Sequence, residues 1–214
     1  PVKGDEMPEQ RVPHFLCVII GQVEREPLTH KIHLPEGLLK ILGVDAELKR
    51  LVVNEIRADA KKYGDERRTL ERALLEVDVL FHLAGVNRPE RVEEYASGNA
   101  GFTEEILALL AASGRRPRFV LSSSIQAELD NPYGRSKRDA EDALRRFCEA
   151  TGSEGVAFRL KNLFGKWCRP NYNSVTATFC HNIANGIPVA ISDPSRVIEL
   201  TYVDDVVAAF ASEL

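Results

Sequence analysis

The chain has 214 residues, of which 44% are hydrophobic and 28% charged, with a formal net charge of −4 and a pI near 5.8. This length suits one domain, or one large domain with an appendage, of ordinary globular composition. The acidic balance argues against a nucleic-acid partner, and the longest apolar run, Phe15 to Ile20, is too short to span a bilayer and lacks signal-peptide flanks.

Residues 1–70 read as an atypical, partly helical N-terminal segment. They hold one strand-like run, a Pro/His/Glu-rich stretch from Glu26 to Gly37, and a charged helical pattern from Leu38 to Leu75 in which Leu48, Leu51, Val52 and Ile56 recur at helical spacing. Residues 71–214 change character. Val77–Leu83 is a continuous apolar run, as in a strand buried on both faces. Helical spacing follows from Arg91 to Ala112 and ends at Ser113-Gly114. Phe119–Ser124 predicts the next strand, Gly134–Ala150 a helix ended by Thr151-Gly152, and Val156–Leu160 a third strand. An Asn/Pro/Trp-containing loop comes next. Then follow a helix over Val175–Asn185 and short strands at Pro188–Ser192 and Ile198–Val203. Alternating strands and helices predict an α/β fold, a Rossmann-like parallel sheet flanked by helices.

Four cysteines, Cys17, Cys148, Cys168 and Cys180, form no CxxC pair. Free thiols in a reducing cytoplasm are expected, and no metal site. The chain starts with Pro1 and stops at Leu214 inside a helical pattern, which suggests a fragment.

The residues with chemical promise are Tyr133 and Lys137, four apart at a helix start and so on one helical face. A phenol is a poor acid or base at neutral pH, but a cation held beside it favours phenolate and lowers its pKa. Such a pair can exchange a proton with a carbonyl or hydroxyl while a hydride moves at the same carbon. Ser122, Ser123 and Ser124, at the end of the preceding strand, offer hydroxyls to polarise the carbonyl. An ordinary solvated i,i+4 pair is the competing reading. The serine run, the tight Asn131-Pro132 loop and the tyrosine at the helix start favour chemistry.

The strings VLFHLAGVNRP, LSSSIQAELDNPYGRSK, NLFGKWCRPNYNSVTATFCHNIAN and ELTYVDDVV resemble the extended short-chain dehydrogenase/reductases, the NAD-dependent epimerase/dehydratase family. More narrowly, they resemble its bacterial 4-ketoreductases of UDP-sugars in capsule and O-antigen synthesis, on the route to UDP-N-acetyl-L-fucosamine. The resemblance spans about residues 66 to 214 and implies NADPH as cofactor and a 4-keto-6-deoxy UDP-N-acetyl-hexosamine as substrate. It makes Tyr133 the proton donor, Lys137 its partner and a contact of the nicotinamide ribose, and Ser124 the carbonyl binder with Ser123 as fallback. Leu83, Ala84, Gly85 and Leu160 would lie against the cofactor. Asn87, Arg88, Asn162, Lys166, Arg169 and Asn173 would meet the sugar nucleotide, and Asn99 would stiffen the sheet. Lys161 stands where the family usually has Pro, so that loop's contacts depart from the pattern. The resemblance also implies a homodimer paired through the helices near Arg91–Ala112 and Gly134–Ala150. Asn162, Asn171 and Asn173 remain open as plain turn-formers, Trp167 and Tyr172 as packing aromatics, His181 as structural, and Asp204 and Asp205 as helix caps.

One expected element is missing. The family's GxxGxxG turn lets the backbone approach a pyrophosphate at a helix N-terminus. In residues 1–75 the glycines are Gly4, Gly21, Gly37, Gly43 and Gly64, and no three have that spacing. The nearest substitute is FLCVIIGQVER, whose Glu24 and Glu26 would repel a pyrophosphate. Leu38–Thr69, ending in KYGDERRT, instead resembles the end of the helical arm of the DNA gyrase A subunit, which suggests a joined or rearranged reading frame. A non-catalytic remnant of the reductase family is therefore the alternative.

Overall fold

The computed structural model describes strands Phe15–Ile19 and Val53–Asn54 and residues 63–214, with side chains from Leu70 onward. Gly21, Leu48, Leu51, Val52 and Ile56 lie outside the described residues, as does most of the gyrase-like stretch.

Strands β1 (Phe15–Ile19), β2 (Val53–Asn54), β3 (Val79–His82), β4 (Arg118–Ser124) and β5 (Gly155–Leu160) form one sheet in the order β2-β1-β3-β4-β5. Every pairing in it is parallel. Parallel strands need crossovers, and helices supply them between the later strands. These are α1 (Tyr63–Glu76), a composite helix α2 and α3 (Pro132–Thr151). Helix α2 runs through Glu93–Tyr95, a π-helical turn Ala96–Gly101, and Phe102–Ser113.

Side chains alternate across the sheet, as the period of two requires. Leu80, Phe119 and Leu121 pack with Leu74, Ile106, Leu110 and Leu144 of the three helices. Val79, Phe81 and Val120 pack on the other face with Val206 and Phe210, from helix α5 (Val203–Ala211). All four residues of β3 are buried, which is why its sequence is continuously apolar rather than alternating. Each fully buried large apolar side chain contributes about 1.5–3 kcal/mol of transfer free energy.

The ends of the predicted helices are explained by their caps. Gly114 and Gly152 adopt left-handed φ values of 69° and 71°, which glycine enters without Cβ strain, and so terminate α2 and α3. Helix α3 begins two residues earlier than its periodicity suggested. Asn131 Oδ1 accepts from Gly134 N at 2.8 Å, and Pro132 takes the first helical position, where its missing N–H costs nothing.

Three expectations are corrected. Val53–Asn54 lies inside the stretch predicted helical from Leu38 to Leu75, yet it is extended as β2, and its pairing with Val18 and Ile19 satisfies backbone groups on the edge of β1. The loop expected after β5 contains a strand, β6 (Asn162–Phe164), which pairs in parallel with β7 (Leu200–Tyr202). Pro188–Ser192 is not a strand. Helix α4 (Val175–Ala184) ends at Asn185, Pro188 has no N–H to offer a ladder, and β6 and β7 pair with each other. Among the described residues no helix is long and apolar enough to cross a membrane.

The order of strands matters for function. β1 is followed by β2 on one side and flanked by β3 on the other, so the winding direction reverses between β1 and β3. In open α/β sheets, ligands occupy the crevice at the carboxyl ends of strands beside such a reversal.

Candidate active site

At that edge the chain leaves β3 through Leu83, Ala84 and Gly85, and leaves β4 through Ser122, Ser123 and Ser124. Helix α3 starts above them. Gly85 is held close: a Cβ there would lie 2.8 Å from Asn99 Oδ1 and 2.9 Å from Lys137 Nζ. A side chain at this position would push the Lys137 ammonium and the Asn99 amide from where they lie, so glycine suits this close approach.

Lys137 is 5% exposed. Its Nζ donates to the Ser122 carbonyl at 3.1 Å and lies 5.9 Å from the centroid of the Tyr133 ring. Burial is the main force on its charge, pushing its pKa down from 10.5 to about 8, while Glu141 pulls the other way. Burial raises the Tyr133 phenol above its ordinary 10.0, against the lowering effect of the neighbouring Ser124 hydroxyl. This differs from the simple expectation that Lys137 would lower the phenol. The ammonium is committed to the Ser122 carbonyl, and desolvation of the ring wins. The resting Tyr133 is therefore a neutral phenol, the protonated form that a proton donor requires.

The three serines take different parts. Ser122 contributes its carbonyl to Lys137. Ser123 is turned to the other face of the strand and donates to Glu141 Oε1. Ser124 faces Tyr133 and also accepts from Gln126 N at 3.2 Å, capping the short turn Ile125–Glu128. Leu160 is the register partner of Ser124 on β5.

Helix α2 braces this arrangement. Asn99 sits in the π-helical turn, a local widening often found at functional sites. Its Nδ2 donates to Ser136 Oγ at 2.9 Å and to Val86 O at 3.2 Å, and its Oδ1 accepts from Val86 N at 2.8 Å. One buried amide thus ties the loop after β3 to α3. Tyr95 packs edge-on against Tyr133 at 5.6 Å, and its hydroxyl donates to Asn87 O at 3.2 Å. Sequence reasoning passed over Tyr95, which carries no motif.

The predicted sugar-nucleotide residues are more scattered. Asn87 and Arg88 are exposed on the loop after β3. Arg88 donates to the Tyr172 carbonyl and stacks over the Tyr172 ring at 5.1 Å. That contact joins the loop after β3 to the loop between β6 and α4. Asn162 is a strand residue whose amide donates to Glu199 O at 3.2 Å. Lys166 pairs with Asp204 at 2.6 Å. Arg169 and Asn173 are exposed on the β6–α4 loop. Lys161, the departure from the family pattern, pairs with Glu199 across the start of the β6–β7 ribbon. Trp167 and Asn171 hold left-handed φ values of 69° and 58° in this loop, a strained conformation for non-glycine residues.

Two further groups were not singled out by sequence. Glu141, one turn beyond Lys137, receives Arg159 through two nitrogens at 2.7–3.1 Å. His82, at the end of β3, is 1% exposed. An i,i+4 extension of the Tyr133–Lys137 face would have found Glu141.

Comparison with known proteins agrees with this geometry. Residues 46–212 match the NAD dependent epimerase/dehydratase family, a span that begins about twenty residues before the sequence resemblance and includes both β2 and α1. A UDP-2-acetamido-2,6-beta-L-arabino-hexul-4-ose reductase of Pseudomonas aeruginosa is 50% identical over 141 residues, which is 66% of this chain and 38% of that protein. The capsular polysaccharide assembling protein CapF from Staphylococcus aureus superposes with a TM-score of 0.57 at 44% identity, over 67% of this chain and 39% of its own. A UDP-N-acetylglucosamine 4-epimerase from Methanobrevibacter ruminantium superposes with a TM-score of 0.58 at 26% identity, over 65% of this chain and 52% of its own. The chain thus spans about two fifths of the length of the first two relatives.

Proposed function

This chain belongs to the NAD dependent epimerase/dehydratase family, and from that premise we propose that it reduces a 4-keto-6-deoxy UDP-N-acetyl-hexosamine with NADPH in capsule or O-antigen nucleotide-sugar synthesis. The observation that carries this reading is the convergence of Ser124, Tyr133 and Lys137 at the carboxyl end of β4.

In this reading Tyr133 and Ser124 bind the keto oxygen of the substrate, and the Tyr133 hydroxyl gives it a proton as the carbonyl becomes an alcohol. Ser124, whose hydroxyl neighbours Tyr133, would help direct the phenol toward that oxygen. Lys137, charged below its pKa of about 8, stabilises the phenolate left behind. The dinucleotide supplies the hydride when bound. Leu83, Ala84, Gly85 and Leu160 would form its nicotinamide-side bed, and the absence of a Cβ at Gly85 leaves Lys137 Nζ and Asn99 Oδ1 the room to pack against this strand end. Asn87, Arg88, Asn162, Lys166, Arg169 and Asn173 are assigned to the sugar nucleotide, with Arg88 and the β6–α4 loop closing over it. Pairing of two copies through α2 and α3 completes the proposal. The lack of a GxxGxxG spacing in residues 1–75 favours a second reading, a remnant that keeps this geometry without turnover.

A turnover assay separates the two. With a UDP-linked 4-keto-6-deoxy-N-acetyl-hexosamine and NADPH, the reduced-nicotinamide absorbance falls in step with appearance of the 4-hydroxy sugar. Absorbance that stays flat while a full-length relative consumes the same mixture refutes the reductase reading.

A further inference from the structure

The face of α3 that carries Tyr133 and Lys137 continues to Glu141, one turn further. Glu141 is unusual among the acidic residues of this region. Its side chain is 14% exposed, against 72% for Glu128. Three groups hold it. Ser123 of β4 donates to Oε1. Arg159 of β5 donates through Nε to both carboxylate oxygens at 3.0 and 3.1 Å and through Nη2 to Oε2 at 2.7 Å. Arg159 is itself steadied by Glu128 at 3.1 Å. A forked, multiply bonded arginine–carboxylate pair of this kind fixes direction as well as charge.

A surface helix needs no such fixture. A carboxylate that only decorated α3 would save desolvation by pointing outward. Here it is anchored by residues of β4 and β5 on the helix face that carries Lys137 one turn earlier. The charged and titratable groups around Lys137 among the described residues are these. Tyr133 and Glu141 lie on its own helix, His82 on β3, and Tyr95 of α2 is in contact with Tyr133. The tightly bonded trio of Glu141, Arg159 and Glu128 carries a net negative charge, and Glu141 is its member on the Lys137 face.

We propose that Glu141, aimed by Ser123 and Arg159, is a positioning residue that keeps Lys137 cationic beneath Tyr133. The inference rests on the assignment of Tyr133 and Lys137 as the proton-transfer pair. Burial drives Lys137 toward its neutral form, and Glu141 opposes it. Without the carboxylate, Lys137 would lose its proton at lower pH, and the phenolate would lose its counter-charge near neutrality.

The test follows Lys137 itself, in the full chain, by the pH dependence of its side-chain 13Cε NMR resonance, identified by its loss in Lys137→Met. Glu141→Gln is expected to lower the midpoint by about one pH unit, and Glu141→Asp to restore most of it. In turnover, the alkaline limb of kcat moves down by the same amount while KM for the UDP-sugar changes little. An unchanged Lys137 midpoint in a folded Glu141→Gln chain overturns the proposal. If that variant fails to fold, Glu141→Asp, with its carboxylate drawn back, must still show a smaller downward shift, and a midpoint equal to the parent's overturns it equally. The NMR titration needs no catalysis. A shifted midpoint in a chain without turnover supports this inference while refuting the reductase reading.

Discussion

If the chain is the reductase proposed above, Tyr133→Phe is expected to lower turnover of the UDP-linked 4-ketose by about 100- to 10,000-fold, the range over which a positioned general acid acts. The substitution is a clean one in this structure. The ring stays, with its edge contact to Tyr95 at 5.6 Å and its position over Lys137. Ser124 keeps its cap on Gln126 N, and Asn131 keeps its cap on Gly134 N. Only the hydroxyl is lost, and with it the proton that converts the substrate's oxygen to an alcohol. KM is expected to rise modestly because Ser124 can still donate to the carbonyl. The measurement is kcat, with far-UV circular dichroism as a check on folding. Turnover close to that of the parent chain would remove Tyr133 from the mechanism.

His82 predicts the second large effect, on stability rather than activity. The only proton of the Thr103 hydroxyl goes to Asn99 O at 2.8 Å. At its 2.9 Å contact with His82 Nε2, Thr103 Oγ1 must therefore accept, so the ring carries its proton on Nε2. Nδ1 is then an unprotonated nitrogen with no hydrogen-bond partner among the described residues, on a ring whose centroid lies 5.5 Å from that of Phe102 and 5.8 Å from that of Phe119. Protonating it would bury a charge. Burial first, and the nearby Lys137 charge second, lower its pKa from 6.5 to about 3. The unfolded chain takes up a proton on this residue below about pH 6.5, while the folded chain does not until about pH 3. The stability involved is thus fully present above that window and lost as pH falls through it, by up to about 5 kcal/mol. His82→Leu removes this term. Its unfolding free energy is lower at neutral pH, from the lost ring contacts, but falls less steeply with acid than that of the parent chain. Parallel acid slopes in urea unfolding for the two chains would contradict the assignment.

The residues that made the site legible were those whose pattern and position coincide. The all-apolar VLFH of β3, the serine run ending β4 and the Asn131-Pro132 start of α3 each specify local structure through burial, strand period or capping. The residues proposed to carry the chemistry lie on these same elements, so Tyr133, Lys137 and the Ser122–Ser124 run could be grouped from sequence, with Ser124 chosen among them by the family resemblance. Elsewhere tertiary pairing outweighed local pattern. Val53–Asn54 lies in a helically patterned stretch but becomes a strand because an edge of β1 is open to pairing. Asn162 reads as a turn-former, yet β6 exists because β7 meets it. Pro188–Ser192 has strand-like residues and no strand partner. Glu141 and His82 were missed for a different reason. A charged residue on a helix and a histidine in an apolar run look ordinary until Arg159, Ser123 and Thr103, distant in sequence, are brought against them.

The proposed reductase requires that the Ser124–Tyr133–Lys137 edge work with a dinucleotide although residues 1–75 hold no GxxGxxG spacing. The most direct measurement is titration of NADPH into the purified chain, followed by its fluorescence, with Lys137→Ala in parallel. Saturable binding in the micromolar range, weakened in Lys137→Ala, is the predicted result. No saturation at millimolar NADPH would contradict it, and would leave this edge a preserved geometry without its hydride source.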